Sequence, residues 1–130
     1  KIVDIPNEEW KLILPPDLYA VAREAATERP FTGKYNDFDV NGEYYCAVCG
    51  NHLFGSTAKF ASSCGWPSFF EADKNGVKYT RDSSHGMERI EVLCKRCNSH
   101  LGHVFNDGPV PTWVRYCMNS ISLDFQRDKK

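Results

Sequence analysis

Apolar side chains near the amino terminus recur with the period of an α-helix. From Pro16 onward they follow the i, i+3, i+4, i+7 spacing of one helix face, at Leu18, Val21, Ala22 and Ala25. Pro16 stands in the first turn, where a missing N–H is tolerated. The segment 7–14 begins with a capping residue, Asn7, and stops before Pro15. The pattern predicts two short helices that serve as scaffold.

After Pro30 the period shortens, and Gly, Pro, Asn and aromatic residues punctuate segments that are too short for helices. This composition is typical of a small antiparallel β structure. Residues 38–40 and 43–45 flank an Asn-Gly pair, which tolerates the positive φ angles of a type I′ turn. The pattern predicts a hairpin there, and that hairpin delivers Cys46 at the end of its second strand.

Four of the six cysteines form two CxxC pairs, Cys46 with Cys49 and Cys94 with Cys97. The second pair follows residues 87–93, whose alternating apolar and charged side chains predict a strand. Two thiolates from one tight turn occupy two corners of a tetrahedron, so two such turns complete the coordination sphere of one structural zinc ion. Paired disulfides or independent redox motifs are the alternatives. Because four thiolates leave no open coordination position, we expect catalysis elsewhere in the chain.

Composition and charge narrow the possible partners. The 130 residues are 42% hydrophobic and carry a formal net charge of -1, as expected for one domain over residues 1–130 without a basic surface for nucleic acid. No apolar run approaches the roughly 18 residues of a membrane-spanning helix. We expect a monomer in the cytoplasm. The sequence begins at Lys1, so a targeting segment upstream remains an alternative.

The remaining cysteines, Cys64 and Cys117, stand in segments of different character. Residues 113–121 alternate like a strand, which puts Arg115, Cys117 and Asn119 on one face. A neighbouring guanidinium favours thiolate over thiol, and the asparagine amide can donate to a bound polar group. These residues predict an activated nucleophile at Cys117. The alternative is a buried, unreactive cysteine.

Cys64 lies in the segment Cys64-Gly-Trp-Pro, in which glycine and proline predict a turn at the surface. A thiol there can condense with a sulfenic acid formed on Cys117, which is the resolving step of cysteine redox chemistry. Trp66 beside this thiol predicts an apolar wall for a methyl-bearing sulfur group, with core packing as the alternative. Two unrelated thiols that never meet would contradict this interpretation.

Two histidines, His100 and His103, follow the second CxxC pair closely, and the glycine between them permits a turn that brings both imidazoles to one site. Histidine supplies protons near neutral pH, which the removal of an oxygen atom as water requires. Asp107 is expected to fix a histidine tautomer or to orient the substrate. Alternative metal ligation and simple solvation stay open for both histidines. His52 and His85 lack a comparable setting and are expected to be structural or exposed.

Together these motifs resemble one known family, the methionine-R-sulfoxide reductases, also called methionine sulfoxide reductase B. The resemblance rests on stretches in order along most of the chain: Pro30-Phe-Thr-Gly33, Cys46-x-x-Cys49-Gly50, Cys64-Gly-Trp-Pro-Ser-Phe69, Ser84-His-Gly-Met87, His100-Leu-Gly-His-Val-Phe105, Asp107-Gly-Pro109 and Arg115-Tyr-Cys-Met-Asn-Ser120. Several independent motifs in the same order are far more specific than a bare CxxC pair. The resemblance also names a substrate class, which spacing alone does not.

The resemblance implies a fold and a reaction. The fold is all-β, with two small antiparallel sheets, short N-terminal helices and one four-cysteine zinc site. Cys117 attacks the sulfoxide sulfur, His103 and His100 supply or orient the proton, and methionine departs to leave a sulfenic acid. Cys64 then closes a disulfide that thioredoxin reopens, so the enzyme repairs proteins after oxidative damage. Substrate contacts are expected from Trp66, Phe105, Asp107, Arg115 and Asn119.

Two positions vary within the family pattern or depart from it. Many members lack a thiol at the position of Cys64, so its presence favours the two-cysteine route. The family usually has glycine where Trp113 stands, and a bulky side chain on the active face is expected to narrow the substrate groove.

Two hypotheses from other classes stay open beside the reductase: a zinc-ribbon adaptor without catalysis, and a thiol switch that senses peroxide without reducing methionine.

Overall fold

The computed structural model describes residues 2–128, and within them the chain forms two α-helices and nine β-strands. The helices are α1 (Asn7–Ile13) and α2 (Pro16–Glu24). The strands are β1 (Gly42–Cys46), β2 (His52–Gly55), β3 (Lys59–Phe60), β4 (Ser68–Phe69), β5 (Val77–Asp82), β6 (Arg89–Cys94), β7 (His100–Phe105), β8 (Arg115–Met118) and β9 (Leu123–Arg127). Short 3-10 turns lie at Ser56–Ala58, Ser84–Gly86 and Ser120–Ser122. The predicted domain limits, 1–130, also include Lys1, Lys129 and Lys130, which lie outside the described residues.

Two antiparallel sheets organise the strands. One sheet has three strands in the order β2-β1-β9, and the other has six strands in the order β3-β4-β8-β7-β6-β5. The predicted fold class, mainly β with two antiparallel sheets and short N-terminal helices, is therefore confirmed. Among the described residues, no helix has the length and apolar character that crossing a membrane requires.

The helices match the predicted pattern along their length and differ at their ends. The side chains expected on the apolar face are buried in α2: Leu18, Val21 and Ala22. Ala25 lies just past α2 in the left-handed region, at φ 57°, so it closes the helix instead of continuing it. Asn7 is the first residue of α1 rather than its cap. Its side chain accepts a hydrogen bond from Arg23 Nε at 2.8 Å, which joins the two helices.

The predicted hairpin around residues 41–42 is wrong. Residues 38–40 form no strand, and β1 pairs instead with β2 and β9. Neither residue of the Asn-Gly pair has the positive φ angle of a type I′ turn. A side chain at Gly42 would collide with the backbone of β9 and with the Phe125 ring. The glycine therefore allows the close approach of a distant strand, and a local turn has no part in it.

The core lies between the two sheets and is rich in aromatic rings. Tyr44 of the three-stranded sheet contacts Phe69 of the six-stranded sheet, with ring centroids 5.1 Å apart. Phe54 stacks on Phe69 at 4.2 Å and meets Tyr116 edge-on at 5.6 Å. Tyr44, Phe54 and Phe69 are fully buried. This packing holds β4 and β8 firmly against β1 and β2.

Candidate active site and metal centre

The four CxxC thiols converge where β1 and β6 end. Cys46 Sγ lies 3.7 Å from Cys97 Sγ, and Cys49 Sγ lies 3.6 Å from Cys94 Sγ. All four sulfur atoms lie within 4.8 Å of one another. A tetrahedral zinc ion with Zn–S bonds of about 2.3 Å holds its sulfur ligands roughly 3.8 Å apart. The cluster therefore has the dimensions and the soft donor atoms of a four-thiolate metal site.

The two CxxC turns have the same backbone geometry. The residue after each second cysteine, Gly50 or Asn98, has a positive φ angle of 80° or 69°. Its N–H donates to the carbonyl of the first cysteine, at 2.8 Å for Cys46 and 2.9 Å for Cys94. Glycine and asparagine adopt this left-handed conformation most readily, which explains their presence. The sequence similarity between the two turns is therefore also a structural one.

One face of the six-stranded sheet carries a row of polar and titratable side chains. Strand pairing aligns one set of directly opposed residues across five strands: Ser68, Cys117, His103, Glu91 and Thr80. Side chains that are directly opposed in an antiparallel pair point to the same face. We call these residues the cross-strand row. Within it, Cys117 is the immediate neighbour of His103.

A β-bulge brings His100 to the same face as His103. The register of β6 and β7 shifts between Val92 and Leu93, so that Val92 pairs with Gly102 and Leu93 pairs with His100. Without the extra residue, two histidines three positions apart would point to opposite faces of the strand. The centroids of the two imidazole rings lie 5.5 Å apart. The bulge therefore gives the site two histidines instead of one.

Cys64 approaches the cross-strand row from the turn before β4. Its Sγ lies 3.5 Å from Cys117 Sγ and 3.4 Å from Ser68 Oγ. Gly65 has φ 101° and packs so closely against Pro30 that a Cβ atom would not fit. The glycine therefore lets the turn fold tightly against its neighbours. The two thiols outside the four-cysteine cluster are adjacent, although they are far apart in sequence.

The environments of the two thiols drive their pKa values apart. Burial raises the pKa of Cys64, but hydrogen bonds with groups that include Ser62 and Ser68 outweigh it and lower the value to about 7. Burial and the charge of Cys64 raise the pKa of Cys117 to about 12, against the opposing effect of Arg115. Arg115 lowers the pKa of Cys117, as the sequence predicted, but burial and Cys64 have the larger effect. Of the two thiols, Cys64 is therefore the one that ionises more readily, and Cys117 needs an acceptor for its proton before it can attack.

His103 is held by a carboxylate that no sequence motif marks. Asp82 Oδ2 lies 2.7 Å from His103 Nε2 and accepts a hydrogen bond from Arg89 Nη2 at 3.3 Å. Hydrogen bonds from Ser84 and from His103 hold the pKa of Asp82 well below its usual range. Because a carboxylate accepts the proton of Nε2–H, neutral His103 has its free lone pair on Nδ1. Only the pairing of β5 with β6 and of β6 with β7 brings Asp82 to this position.

Asp107 pairs with Arg115 rather than with a histidine. Its oxygens accept hydrogen bonds from the guanidinium at 2.9 and 3.2 Å, and the guanidinium lowers the pKa of Asp107. Arg115 in turn lies over the Phe105 ring, 4.5 Å from its centroid. The histidine tautomers are set by Asp82 and Glu91, so that role does not belong to Asp107. Its role in orienting the substrate stays a prediction.

A small hollow of about 80 Å3 opens beside Cys117. Its lining mixes aromatic, apolar and polar side chains, among them Trp66, Arg89, His103, Phe105, Met118 and Asn119. Since a water molecule takes about 30 Å3 in the liquid, the hollow accommodates the end of a side chain rather than a large cofactor. Trp66 is held in the wall by its indole N–H, which donates to the Glu28 carbonyl at 3.0 Å.

The end of β8 differs from the prediction and changes the setting of Asn119. The strand stops at Met118, and Asn119 leads into the 3-10 turn Ser120–Ser122. Its Nδ2 donates to the Leu101 carbonyl at 3.0 Å, and its Oδ1 accepts the Glu28 N–H at 3.0 Å. Asn119 therefore ties three segments together at the hollow and keeps one amide N–H for a ligand.

The prediction that Trp113 lies on the active face is wrong. Trp113 precedes β8, is 61% exposed and is not among the residues that line the hollow. Its φ angle is 64°, and its N–H donates to the Pro109 carbonyl at 2.9 Å, which closes a turn. This left-handed conformation explains why the family usually has glycine here. The tryptophan therefore belongs to the loop before β8 and does not narrow the hollow.

Comparison with known proteins places these features in a family. A family model described as the SelR domain matches residues 14–127. A peptide methionine sulfoxide reductase MsrB from Thiobacillus denitrificans is 58% identical over 120 residues, which cover 92% of this chain and 91% of that protein. The chain belongs to the MsrB family. The MsrB protein of Leptospira interrogans is 51% identical over 127 residues, 97% of each chain, and that of Methanosarcina barkeri is 50% identical over 131 residues, 100% of this chain and 92% of that protein.

In this MsrB chain a third histidine, His52, also bonds carboxylates, through both of its ring nitrogens. His52 Nδ1 lies 2.7 Å from Asp73 Oδ2, and His52 Nε2 lies 2.7 Å from Glu43 Oε1. Burial alone would lower the pKa of His52, but the bonds with Asp73 and Glu43 outweigh it and raise the pKa above its usual value. His52 is thus structural and His85 is exposed, as the sequence predicted.

Replacing His52 with glutamine is expected to weaken the fold more at about pH 6 than at about pH 8.5. With a raised pKa, the ion pairs stabilise the folded state fully below the unfolded-state pKa of about 6.5, and this stabilisation is lost as the pH rises through the folded-state pKa. Because the side chain is 37% exposed, solvent screening limits the effect to about 1 kcal/mol. Urea unfolding at both pH values measures it, with His85→Gln as the control. Parallel pH dependence in wild type and His52→Gln would contradict the ion pairs.

Proposed function

We propose that this MsrB protein reduces the R epimer of methionine sulfoxide in peptides and proteins to methionine. The observation that carries the proposal is the 3.5 Å approach of Cys64 Sγ to Cys117 Sγ, beside a hollow walled by Trp66. A reduction that ends in a disulfide needs two thiols within reach, and a methyl sulfoxide needs an apolar wall. The choice of epimer rests on the resemblance to the methionine-R-sulfoxide reductases.

The reaction begins with loss of the Cys117 proton. His103 is the neighbour of Cys117 in the cross-strand row, and its Nδ1 lone pair is free while Asp82 holds Nε2. His103 accepts the thiol proton, and the Cys117 thiolate attacks the sulfoxide sulfur. The oxygen bonds to Cys117 Sγ as the sulfur–oxygen bond of the substrate breaks, so methionine departs and Cys117 is left as a sulfenic acid once that oxygen takes up a proton. His100 helps to return the proton to that oxygen.

Substrate binding uses the aromatic and polar sides of the hollow. Trp66 and Phe105 form the apolar wall for the methyl group. Arg115 covers the Phe105 ring and is itself anchored by Asp107, so this ion pair holds the wall in place. The free amide N–H of Asn119 donates to the bound substrate. These five residues bind and orient the sulfoxide beside Cys117.

Cys64 resolves the sulfenic acid. A pKa of about 7 gives Cys64 a large thiolate fraction near neutral pH. Its sulfur attacks Cys117 Sγ, the disulfide forms, and the sulfenic oxygen takes up a proton and leaves as water. The sulfur atoms start 3.5 Å apart and finish at a bond length of about 2.05 Å, so the movement is short. Thioredoxin then reduces the disulfide and returns the enzyme to its starting state.

The four cysteines of the CxxC turns hold one structural zinc ion. The spacing of their sulfur atoms fits a tetrahedron, and the surroundings stabilise thiolates. Asn51 Nδ2 donates to Cys94 Sγ at 3.8 Å, and Ser99 Oγ lies 3.1 Å from Cys97 Sγ. With four thiolates bound, the ion stabilises the fold and takes no part in the redox steps.

The test follows each epimer of methionine sulfoxide in a peptide, with dithiothreitol as the reductant. We expect the R epimer to be converted to methionine and the S epimer to remain. Without reductant, the R epimer should leave a Cys64–Cys117 disulfide that peptide mapping detects. Turnover of neither epimer would eliminate the proposal. In that case, a disulfide formed with peroxide would favour the thiol switch, and no disulfide at all would favour the adaptor.

Replacing Cys64 with serine is expected to separate the two reductants. Thioredoxin-driven turnover should fall to near background, because thioredoxin acts on the disulfide that Cys64 forms. Turnover with dithiothreitol should stay within a few-fold of wild type, because a small thiol reaches the sulfenic acid directly. Steady-state rates with each reductant measure the separation. Equal losses with both reductants would count against the resolving role of Cys64.

A further inference from the structure

The two hairpins that contain the CxxC turns share further residues and geometry besides the cysteines. A glutamate stands three residues before the first cysteine of each pair, at Glu43 in β1 and Glu91 in β6. A histidine stands three residues after the second cysteine, at His52 in β2 and His100 in β7. Both hairpins carry a β-bulge at the equivalent register position. Each glutamate bonds the histidine of its own hairpin.

The two glutamate–histidine pairs have different surroundings. His52 bonds carboxylates through both ring nitrogens and is 37% exposed. His100 is only 4% exposed, and its Nδ1 lies 2.6 Å from Glu91 Oε2. The Nε2 atom of His100 is buried and has no hydrogen-bond partner among residues 2–128. An unpartnered buried nitrogen destabilises the fold, so its presence at this site indicates a use in function.

The Glu91 carboxylate decides which nitrogen of His100 carries the proton. A carboxylate only accepts hydrogen bonds, so Nδ1 is the donor and the neutral ring has its lone pair on Nε2. Burial lowers the pKa of His100, although Glu91 acts to raise it. The lowered pKa keeps the ring neutral at physiological pH. The other charged or titratable groups that face the ring are His103 of β7 and Asp82 of β5.

We propose that Glu91 is a positioning residue for the reductase reaction. It holds the Nδ1–H tautomer of His100 and leaves a bare Nε2 on the face that carries His103 and Cys117. There Nε2 accepts the proton that His103 takes from Cys117 and returns it to the sulfenic oxygen, which leaves as water, so the ring ends the cycle neutral. This inference rests on the proposed role of His100. Glu43, at the matching position of the other hairpin, only stabilises the fold.

Glu91→Gln and its matched control Glu43→Gln test the inference. Each change removes one carboxylate charge at the same position of the same hairpin type. An amide donates as well as accepts, so both tautomers of His100 should become populated in Glu91→Gln and only one in Glu43→Gln. The 15N chemical shifts of the His100 ring report this without any turnover. With dithiothreitol, kcat should fall at least about tenfold in Glu91→Gln with KM little changed, and should stay at the wild-type value in Glu43→Gln.

Three results would overturn the inference. One is an Nε2–H tautomer of His100 in the wild-type protein, which can be observed even if Glu91→Gln fails to fold. Another is unchanged kcat in a folded Glu91→Gln variant, and the third is an equal loss of kcat in both variants. Failure of the proposed function would look different from failure of this inference. If the wild-type protein turned over neither epimer, the proposed function would be eliminated, while the His100 tautomer would still be the one that Glu91 sets.

Discussion

Replacing Cys117 with serine is expected to lower methionine formation by at least about a thousandfold, with dithiothreitol and with thioredoxin alike. A hydroxyl ionises far less readily than a thiol, and an oxygen at this position does not form the sulfenic acid that the cycle requires. Serine is close to cysteine in size, so β8 should keep its pairing with β4 and β7. Chromatography of the R-epimer peptide after incubation with each variant measures the loss.

Cys64→Ser is the matched control for Cys117→Ser, because it removes the other sulfur of a pair only 3.5 Å apart. The comparison matters because two features of the site favour different nucleophiles. The pKa of Cys64 is the lower of the two, whereas Cys117 lies beside His103 and the hollow. Turnover with dithiothreitol that survives Cys117→Ser and is lost in Cys64→Ser would assign the attack to Cys64.

The four-cysteine cluster was predictable from the sequence because its signals are local. CxxC spacing puts two thiols on one turn, and alternation of residues 87–93 indicates a strand that leads into Cys94. The structure brings the four thiols together at the ends of β1 and β6. The second thiol pair was predictable only as a hypothesis. The meeting of Cys64 and Cys117 depends on the pairing of β4 with β8, which no local pattern encodes.

The carboxylate partners of the histidines were missed for the same reason. Asp82 and Glu91 lie on strands other than that of the two histidines, and the register of three strands brings Asp82 to His103 and Glu91 to His100. One signal for Glu91 was present: it precedes its CxxC pair by the same three residues as Glu43. The matching glutamates before the two CxxC pairs therefore contained information about the site that the cysteine spacing alone did not.

Two other local patterns, one for a turn and one for a strand, were also misleading. The Asn-Gly pair at residues 41–42 has the composition of a hairpin turn, yet Gly42 is needed where β9 approaches β1. Strand alternation predicted that Trp113 belongs to β8, but a turn closed by the Pro109 carbonyl displaces it from the sheet. In both cases the competing interaction comes from residues outside the window in which the pattern was read.

Replacing Cys94 with serine is expected to remove most of the bound zinc and to lower the thermal midpoint of unfolding by at least about 10 °C. Cys94 is fully buried and ends β6. Zinc bound by four thiolates contributes an apparent free energy of about 10 kcal/mol or more, comparable to the total stability of a domain at about 5–15 kcal/mol. Metal analysis and scanning calorimetry measure the two effects. The Cys64→Ser variant loses a thiol that lies outside the cluster, so it should keep the zinc content and the thermal midpoint of the wild type.

The second CxxC turn joins β6 to β7, and this hairpin carries Glu91, His100 and His103. Turnover should therefore fall together with the folded fraction when a chelator removes zinc from the wild-type protein. Loss of turnover in a chain that is still fully folded would contradict a purely structural ion and give the metal a part in the chemistry. If the four thiols are instead paired as disulfides, the chain holds no zinc, its mass is lower by about four hydrogens, and the chelator changes nothing.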